Sequence, residues 1–138
     1  MLTKTPEVHA KGSKLLLDAC VFLQTESSVL DSLVRRGFTL LVTPTILNEV
    51  ERISQLKDQH TEAWRIFARH LVFLDDRKLS VVLEAQHILT HVPDNLHIAA
   101  AKVEGATILS YDRLMVSTAR DEGVEAYRPE EFLDRMVN

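Results

Sequence analysis

Only one cysteine, Cys20, occurs in the 138 residues, so no internal disulfide can form. Stability must come from a packed core, and a thiol-reducing cytoplasm suits such a chain. Long apolar runs are also missing. No stretch approaches the length of a membrane span, and the opening residues MLTKTPEVHAKGSK lack the apolar block of a signal peptide. The expectation is a cytoplasmic protein with no membrane partner. Glycine and proline are scarce, at four each, which excludes low-complexity and collagen-like architectures. A basic excess is absent as well: the formal net charge is −4, which argues against a broad cationic surface for duplex DNA. It leaves open chemistry in which clustered carboxylates hold cations that face phosphate.

What remains is ordinary globular composition, 46% apolar and 26% charged, over a length that suits one domain. Residues 1–13 read as a flexible arm and 14–138 as a single domain, with no repeat or linker. Short apolar runs alternate with helical patterns. Lys14–Leu17 is a predicted strand, followed by a helix over Ala19–Val34 broken near Ser27–Ser28 and closed by Gly37. Phe38–Val42 is a second strand. Thr43-Pro44 starts a helix that runs to about Ser54, with Thr43 as N-cap and Pro44 in the first turn. Another helix is expected over Gln59–His70, with Trp64, Phe67, Ala68 and Leu71 on one side. A short strand at Leu71–Leu74 precedes a helix capped by Asp75 or Asp76 and reaching about Thr90, with Leu79, Val82, Leu83 and Ile88 expected inside. Leu96, Ala99, Ala100 and Val103 give the next helix its apolar side, and Gly105 ends it. Thr107–Ser110 is a strand, Asp112–Glu122 a helix closed by Gly123, Val124–Tyr127 a strand, and Pro129–Val137 a last helix. This alternation predicts an α/β fold: three layers, α/β/α, around a central, mostly parallel sheet.

In such sheets ligands bind beyond the carboxyl ends of the strands. Asp18 and Asp112 both fall there, and Thr43-Pro44 starts a helix at the same edge that carries Glu49. Asp94 opens the helix that leads back to that edge. Each acid also has a plain structural use. Asp18, Asp94 and Asp112 suit helix N-caps, and Glu49 can sit at the rim of its apolar stripe and pair with Arg52. Capping does not explain why four acids should converge, whereas a hard divalent cation needs oxygen ligands from separate elements. Other residues carry weaker signals. His87 and His91 have a zinc-compatible i, i+4 spacing but no intervening Glu, and surface positions suit them better. Cys20 reads as a small buried residue behind the acidic edge rather than a nucleophile. His97 lies one turn from Asp94 and suits packing or a hydrogen bond.

LLLDACVFL, TPTILNEV and PDNLHIAAAKVEGATILSYDR together resemble the PIN-domain ribonucleases, the family that includes the VapC-type toxins. The resemblance runs from about Lys14 to Phe132. It carries the family's four acids onto Asp18, Glu49, Asp94 and Asp112, spaced 31, 45 and 18 residues apart, and the hydroxyl of the last turn onto Ser110. Ala19 and Cys20 depart from the Asn or Thr usual after the first acid, and Ser110 stands where Thr is commoner. The resemblance implies Mg²⁺- or Mn²⁺-dependent endonucleolytic cleavage of single-stranded RNA, leaving 5′-phosphate and 3′-hydroxyl ends. It further implies Asp18, Asp94 and Asp112 as metal ligands, Glu49 as ligand or water-orienting group, and Ser110 behind a carboxylate. Arg113 is a candidate for touching the RNA. A homodimer and a neutralising antitoxin protein are the implied partners, the dimer also favoured by Trp64, Phe67, Leu71 and Phe73. Two other readings compete: a catalytically degenerate module that binds RNA or a partner, and a phosphoacceptor receiver domain. The receiver needs a Lys near the last strand, and Val124–Arg128 has none.

Overall fold

The computed structural model describes residues 14–57, 70–88, 90 and 92–137. Five strands form one sheet in the order β3-β2-β1-β4-β5, every pairing parallel. They are β1 (Lys14–Leu17), β2 (Thr39–Val42), β3 (Leu71–Phe73), β4 (Thr107–Leu109) and β5 (Ala126–Tyr127). Around them lie α1 (Ala19–Gln24), α2 (Ser27–Arg35), α3 (Pro44–Lys57), α4 (Leu79–Ala85), α5 (Asp94–Glu104), α6 (Arg113–Asp121) and α7 (Pro129–Val137). The expected three-layer α/β/α architecture is present. Leu15, Leu16 and Leu17 point alternately to opposite faces of β1, yet all three are buried, so helices cover both faces.

The strand order holds the functional information. From β1 the chain moves to β2 and β3 on one side, then returns to place β4 on the other. The reversal leaves a crevice at the carboxyl ends of β1 and β4, the position where parallel sheets bind ligands. The register aligns Leu17 with Leu109, so the residues that leave these two strands side by side are Asp18 and Ser110.

Helix ends follow their sequence signals. Thr43 Oγ1 accepts from the Ile46 amide at 3.1 Å and caps α3. Gly105 ends α5 in the left-handed conformation, φ 71°, and its amide bonds back to Ala101 O. The break between α1 and α2 falls at Thr25–Glu26, two residues before the expected Ser27–Ser28.

Several expectations need correction. The helix after β3 is shorter than its pattern implied, and it presents another face. Val81 and Ala85, at i and i+4, are buried with Ile88, while Leu79, Val82 and Leu83 are exposed at 71%, 36% and 49%. Its start is Lys78, not an aspartate. Asp75 closes a local turn onto the Arg77 amide, and Asp76 is buried with neither carboxylate oxygen hydrogen-bonded among the described residues. The helix packs on α5, which is buried over a broad arc, from His97 to Ala101, while Val103 faces outward. Small alanines permit that close approach, and packing against a neighbour overrode the simple stripe. Helix α3 continues to Lys57, past Ser54. The expected helix over Gln59–His70, with Trp64 and Phe67, and the arm 1–13 lie outside the described residues, apart from His70.

A Cβ at Gly105 would meet nothing within 4 Å, so substitution there tests backbone conformation alone. Gly105→Ala should destabilise by about 1–2 kcal/mol, the cost of a left-handed L-residue, and Gly105→Asn by less. Denaturant midpoints check this. Equal stability of all three would mean that the left-handed C-cap carries no strain.

Candidate acidic site

The site is built from the β1 end outward. Asp18 is extended, φ −70° and ψ 159°, and its amide donates to Leu109 O at 3.0 Å, which carries the β1–β4 pairing one step past the strand. Its side chain is held at both oxygens. Oδ1 accepts from the Ala19 amide at 2.8 Å, capping α1, and Oδ2 accepts from Ser110 Oγ at 2.8 Å. Ser110 is fully buried, and its Oγ accepts in turn from the Asp112 amide at 3.0 Å. One hydroxyl thus ties the carboxylate after β1 to the turn after β4. Oδ2 also accepts from the Cys20 thiol at 3.6 Å, while Oδ1 keeps a second lone pair for another partner.

Glu49 enters from α3. Thr43, Pro44, Ile46 and Val50 fix that helix against the core, and Glu49 emerges from its partly covered side. It does not pair with Arg52. Its Oε1 lies 3.0 Å from His97 Nε2 of α5, and the imidazole is buried. Ligand atoms of Asp18, Glu49 and His97 all fall within 4.8 Å of one another. Two ligands on opposite sides of one divalent ion are separated by about twice the bond length, roughly 4–5 Å. The spacing and the donor types therefore fit a cation.

The other expected site residues are placed differently. Asp112 is exposed and caps α6: its Oδ1 accepts from the Leu114 amide at 2.9 Å and the Met115 amide at 3.3 Å. Asp94 is the half-buried first residue of α5, after Pro93 as N-cap. Three residues before His97, it shares a helix face with that histidine. Neither Asp94 nor Asp112 belongs to the close group of ligand atoms. Arg113 is exposed in the first turn of α6. His87 is exposed, and His91 lies outside the described residues.

The expected role of His97, packing or a hydrogen bond, holds, and its partner, Glu49, had no local signal beyond the Asp94-x-x-His97 spacing. Cys20 is half-buried rather than fully so. Its Sγ lies 3.6 Å from both Asp18 Oδ2 and Ser110 Oγ and accepts from the Tyr111 amide at 3.4 Å. Burial, then the Asp18 charge, push its thiol up to about 11, so it is protonated and inert near neutrality. Tyr111, in the same turn, is held by a hydroxyl chain. Thr25 Oγ1 donates to its Oη at 2.9 Å, and its Oη donates to Glu130 Oε2 at 2.6 Å. Burial and that acidic partner push the phenol up to about 12.

No protein-family model matches the chain, and no curated protein does. Among solved structures it is similar to the crystal structure of PAE2754 from Pyrobaculum aerophilum. The TM-score is 0.63 at 17% identity, over 94% of this chain and 95% of that one. The likeness supports the fold. Among the described residues no helix is long and apolar enough to cross a membrane.

The Cys20 environment gives a pH test. Thiolate is the form that alkylates, and a raised pKa keeps it scarce until higher pH. At about pH 9, iodoacetamide should modify the folded protein far more slowly than the urea-unfolded chain. Asp18→Asn should speed the folded reaction by removing the neighbouring charge. A folded-state midpoint at the ordinary value of 9.0 would contradict the geometry.

Proposed function

We propose that this protein is a metal-dependent endoribonuclease of the PIN-domain type, acting on single-stranded RNA. The observation that carries the reading is the meeting of Asp18 and Glu49, beside His97, at the switch point of a parallel sheet. The order and spacing of Asp18, Glu49, Asp94 and Asp112 add the resemblance to that family. Asp18 and Glu49 are the cation-holding groups of this reading. A divalent cation, Mg²⁺ or Mn²⁺, would supply positive charge against a phosphate and acidify a bound water. The protein's part is to fix the carboxylates: Ser110 and the Ala19 amide lock Asp18, and His97 locks Glu49. Asp94, from the α5 start, and Asp112, from the α6 cap, complete the acidic wall in this reading. A cytoplasmic toxin held by an antitoxin, and a homodimer, are the biological setting it suggests.

A degenerate module that binds RNA without cutting it is the second reading. It is favoured by one observation, the engagement of Asp112 Oδ1 with two amides of α6. Metal titration separates the two.

In the nuclease reading, millimolar Mn²⁺ raises the melting temperature of the wild type by binding linkage, and not that of Asp18→Asn. Cleavage of a mixed single-stranded RNA requires Mn²⁺ or Mg²⁺ and stops in EDTA. Asp18→Asn and Glu49→Gln keep the fold and lower the rate by about 10²-fold or more. Ser110→Ala costs less, about 10-fold to 100-fold, because it acts through Asp18. Activity that persists in EDTA or in Asp18→Asn would overturn the assignment. A stable melting temperature with Mn²⁺ and no cleavage under either metal would favour the binding module.

The dimer is supported by apolar exposure around the sheet's β3 edge. Val72 and Phe73 are 48% and 67% exposed there, close in sequence to Leu79 and Leu83 of α4. Light scattering at micromolar concentration should give about twice 15.7 kDa. A mass near one chain would refute it.

A further inference from the structure

The turn Ser110-Tyr111-Asp112 has two sides. Ser110 faces the acids, while Tyr111 walls a groove of about 360 Å³ along α6. Arg113, Arg120 and Arg128 line that groove against Asp121 and Glu131. Arg120 is engaged: it pairs with Glu131 at 3.7 Å and donates to Ala126 O at 2.9 Å. Arg113 and Arg128 have no carboxylate partner among the described residues, and both are exposed. Helix stability does not account for Arg113, because a cation in the first turn opposes the helix dipole. Arg128 stacks over the Tyr111 ring, 5.3 Å from its centre, and the ring is fixed by Thr25 and Glu130. A guanidinium held over an aromatic ring by this cation–π contact still has N–H donors to offer a phosphate.

A neighbouring groove of about 720 Å³ shares Tyr111, Arg128 and Glu131 but adds Glu130 and Asp134 against Arg135. Its charge balance disfavours a polyanion. The two grooves thus differ in charge balance on either side of Tyr111, with Arg128 common to both, and it is the α6 groove that holds Arg113, the residue after Asp112.

We propose that Arg113 and Arg128 hold backbone phosphates of single-stranded RNA along the α6 groove, with Tyr111 as the fixed platform between that groove and the acidic site. This rests on the nuclease reading for its RNA, but its test needs no catalysis. Fluorescence anisotropy of a labelled single-stranded RNA is measured in EDTA across a salt series. The full-length wild type should bind with a steep salt dependence. Arg113→Ala/Arg128→Ala should lose about 10-fold or more in affinity and flatten the log–log salt slope by about 0.7 per contact, about 1.4 for the pair. Arg113→Lys/Arg128→Lys should restore most of the slope, which a merely structural role would not. Arg35→Ala, whose guanidinium already pairs with Asp31 at 2.8 Å, should bind as wild type.

No wild-type binding, an unchanged slope in the double alanine variant, or an equal loss in Arg35→Ala each overturns the proposal. An arginine-dependent slope in a protein that no metal makes cut RNA would sustain this surface and sink the nuclease reading. Metal-dependent cleavage with wild-type binding in the double variant would do the reverse.

Discussion

The pairing of β1 with β4 is the constraint on which the rest depends. Leu15, Leu16 and Leu17 sit in the middle of the sheet with β2 on one side and β4 on the other, buried on both faces. Burying each such side chain contributes about 1.5–3 kcal/mol, so the core holds this strand firmly between its neighbours. Register then decides what emerges. Leu17 lies against Leu109, so Asp18 and Ser110 must leave the sheet side by side, and the Asp18 amide finds Leu109 O. A one-residue slip would exchange the buried and emerging positions and separate the hydroxyl from the carboxylate. The same apolar packing that stabilises the fold therefore sets the site geometry to within a hydrogen bond.

Bringing acids together opposes stability, and the fold meets that cost locally. Asp18 receives a backbone amide and a buried hydroxyl, Glu49 receives an imidazole, and Asp112 receives two amides at the start of α6. Hydrogen bonds to charged groups contribute about 1.5–3 kcal/mol each, more than neutral ones. Among the described residues, Asp18, Glu49 and Asp112 are thus held by these donors rather than by salt bridges to lysine or arginine. Their negative potential remains directed outward, where a cation can meet it.

Much of this was legible in the sequence because the strongest signals were local. Lys14–Leu17 and Phe38–Val42 read as strands, Thr43-Pro44 as a helix start, and Gly37, Gly105 and Gly123 as stops, and these hold, with β2 starting one residue later at Thr39. The failures came where a neighbour decides. In α4 the apolar residues exceed what one face can bury, and contact with α5 selects Val81 and Ala85 over Leu79 and Leu83. Asp75-Asp76 read as a helix cap, but Asp76 is buried and the helix starts after Lys78. Asp112 shows a deeper limit. An aspartate directly after a strand serves equally as cap or as ligand, because both uses place it at the same point of the chain. The sequence located it; only the amides of Leu114 and Met115 reveal its present partner.

His97 decides what kind of cation the site can favour. Its Nε2 lies 3.0 Å from Glu49 Oε1, and its Nδ1 is buried without a hydrogen-bond partner among the described residues. With the ring proton on Nε2 it donates to Glu49, and only an acceptor is left unfilled. That costs less than burying an unpaired N–H. The same nitrogen cannot donate to Glu49 and offer its lone pair to a metal. Recruiting it as a ligand would therefore remove the bond that orients Glu49, and burial of the ring on α5 gives it little room to move. The arrangement favours His97 as the orienter of Glu49. In the proposed nuclease reading the ligands would then be carboxylate oxygens, from Asp18 and Glu49. Oxygen-only donors suit hard ions such as Mg²⁺ and Mn²⁺, whereas a nitrogen in the shell would shift preference toward zinc. A buried histidine beside two acids can thus make the site more selective for a hard cation by staying out of its coordination.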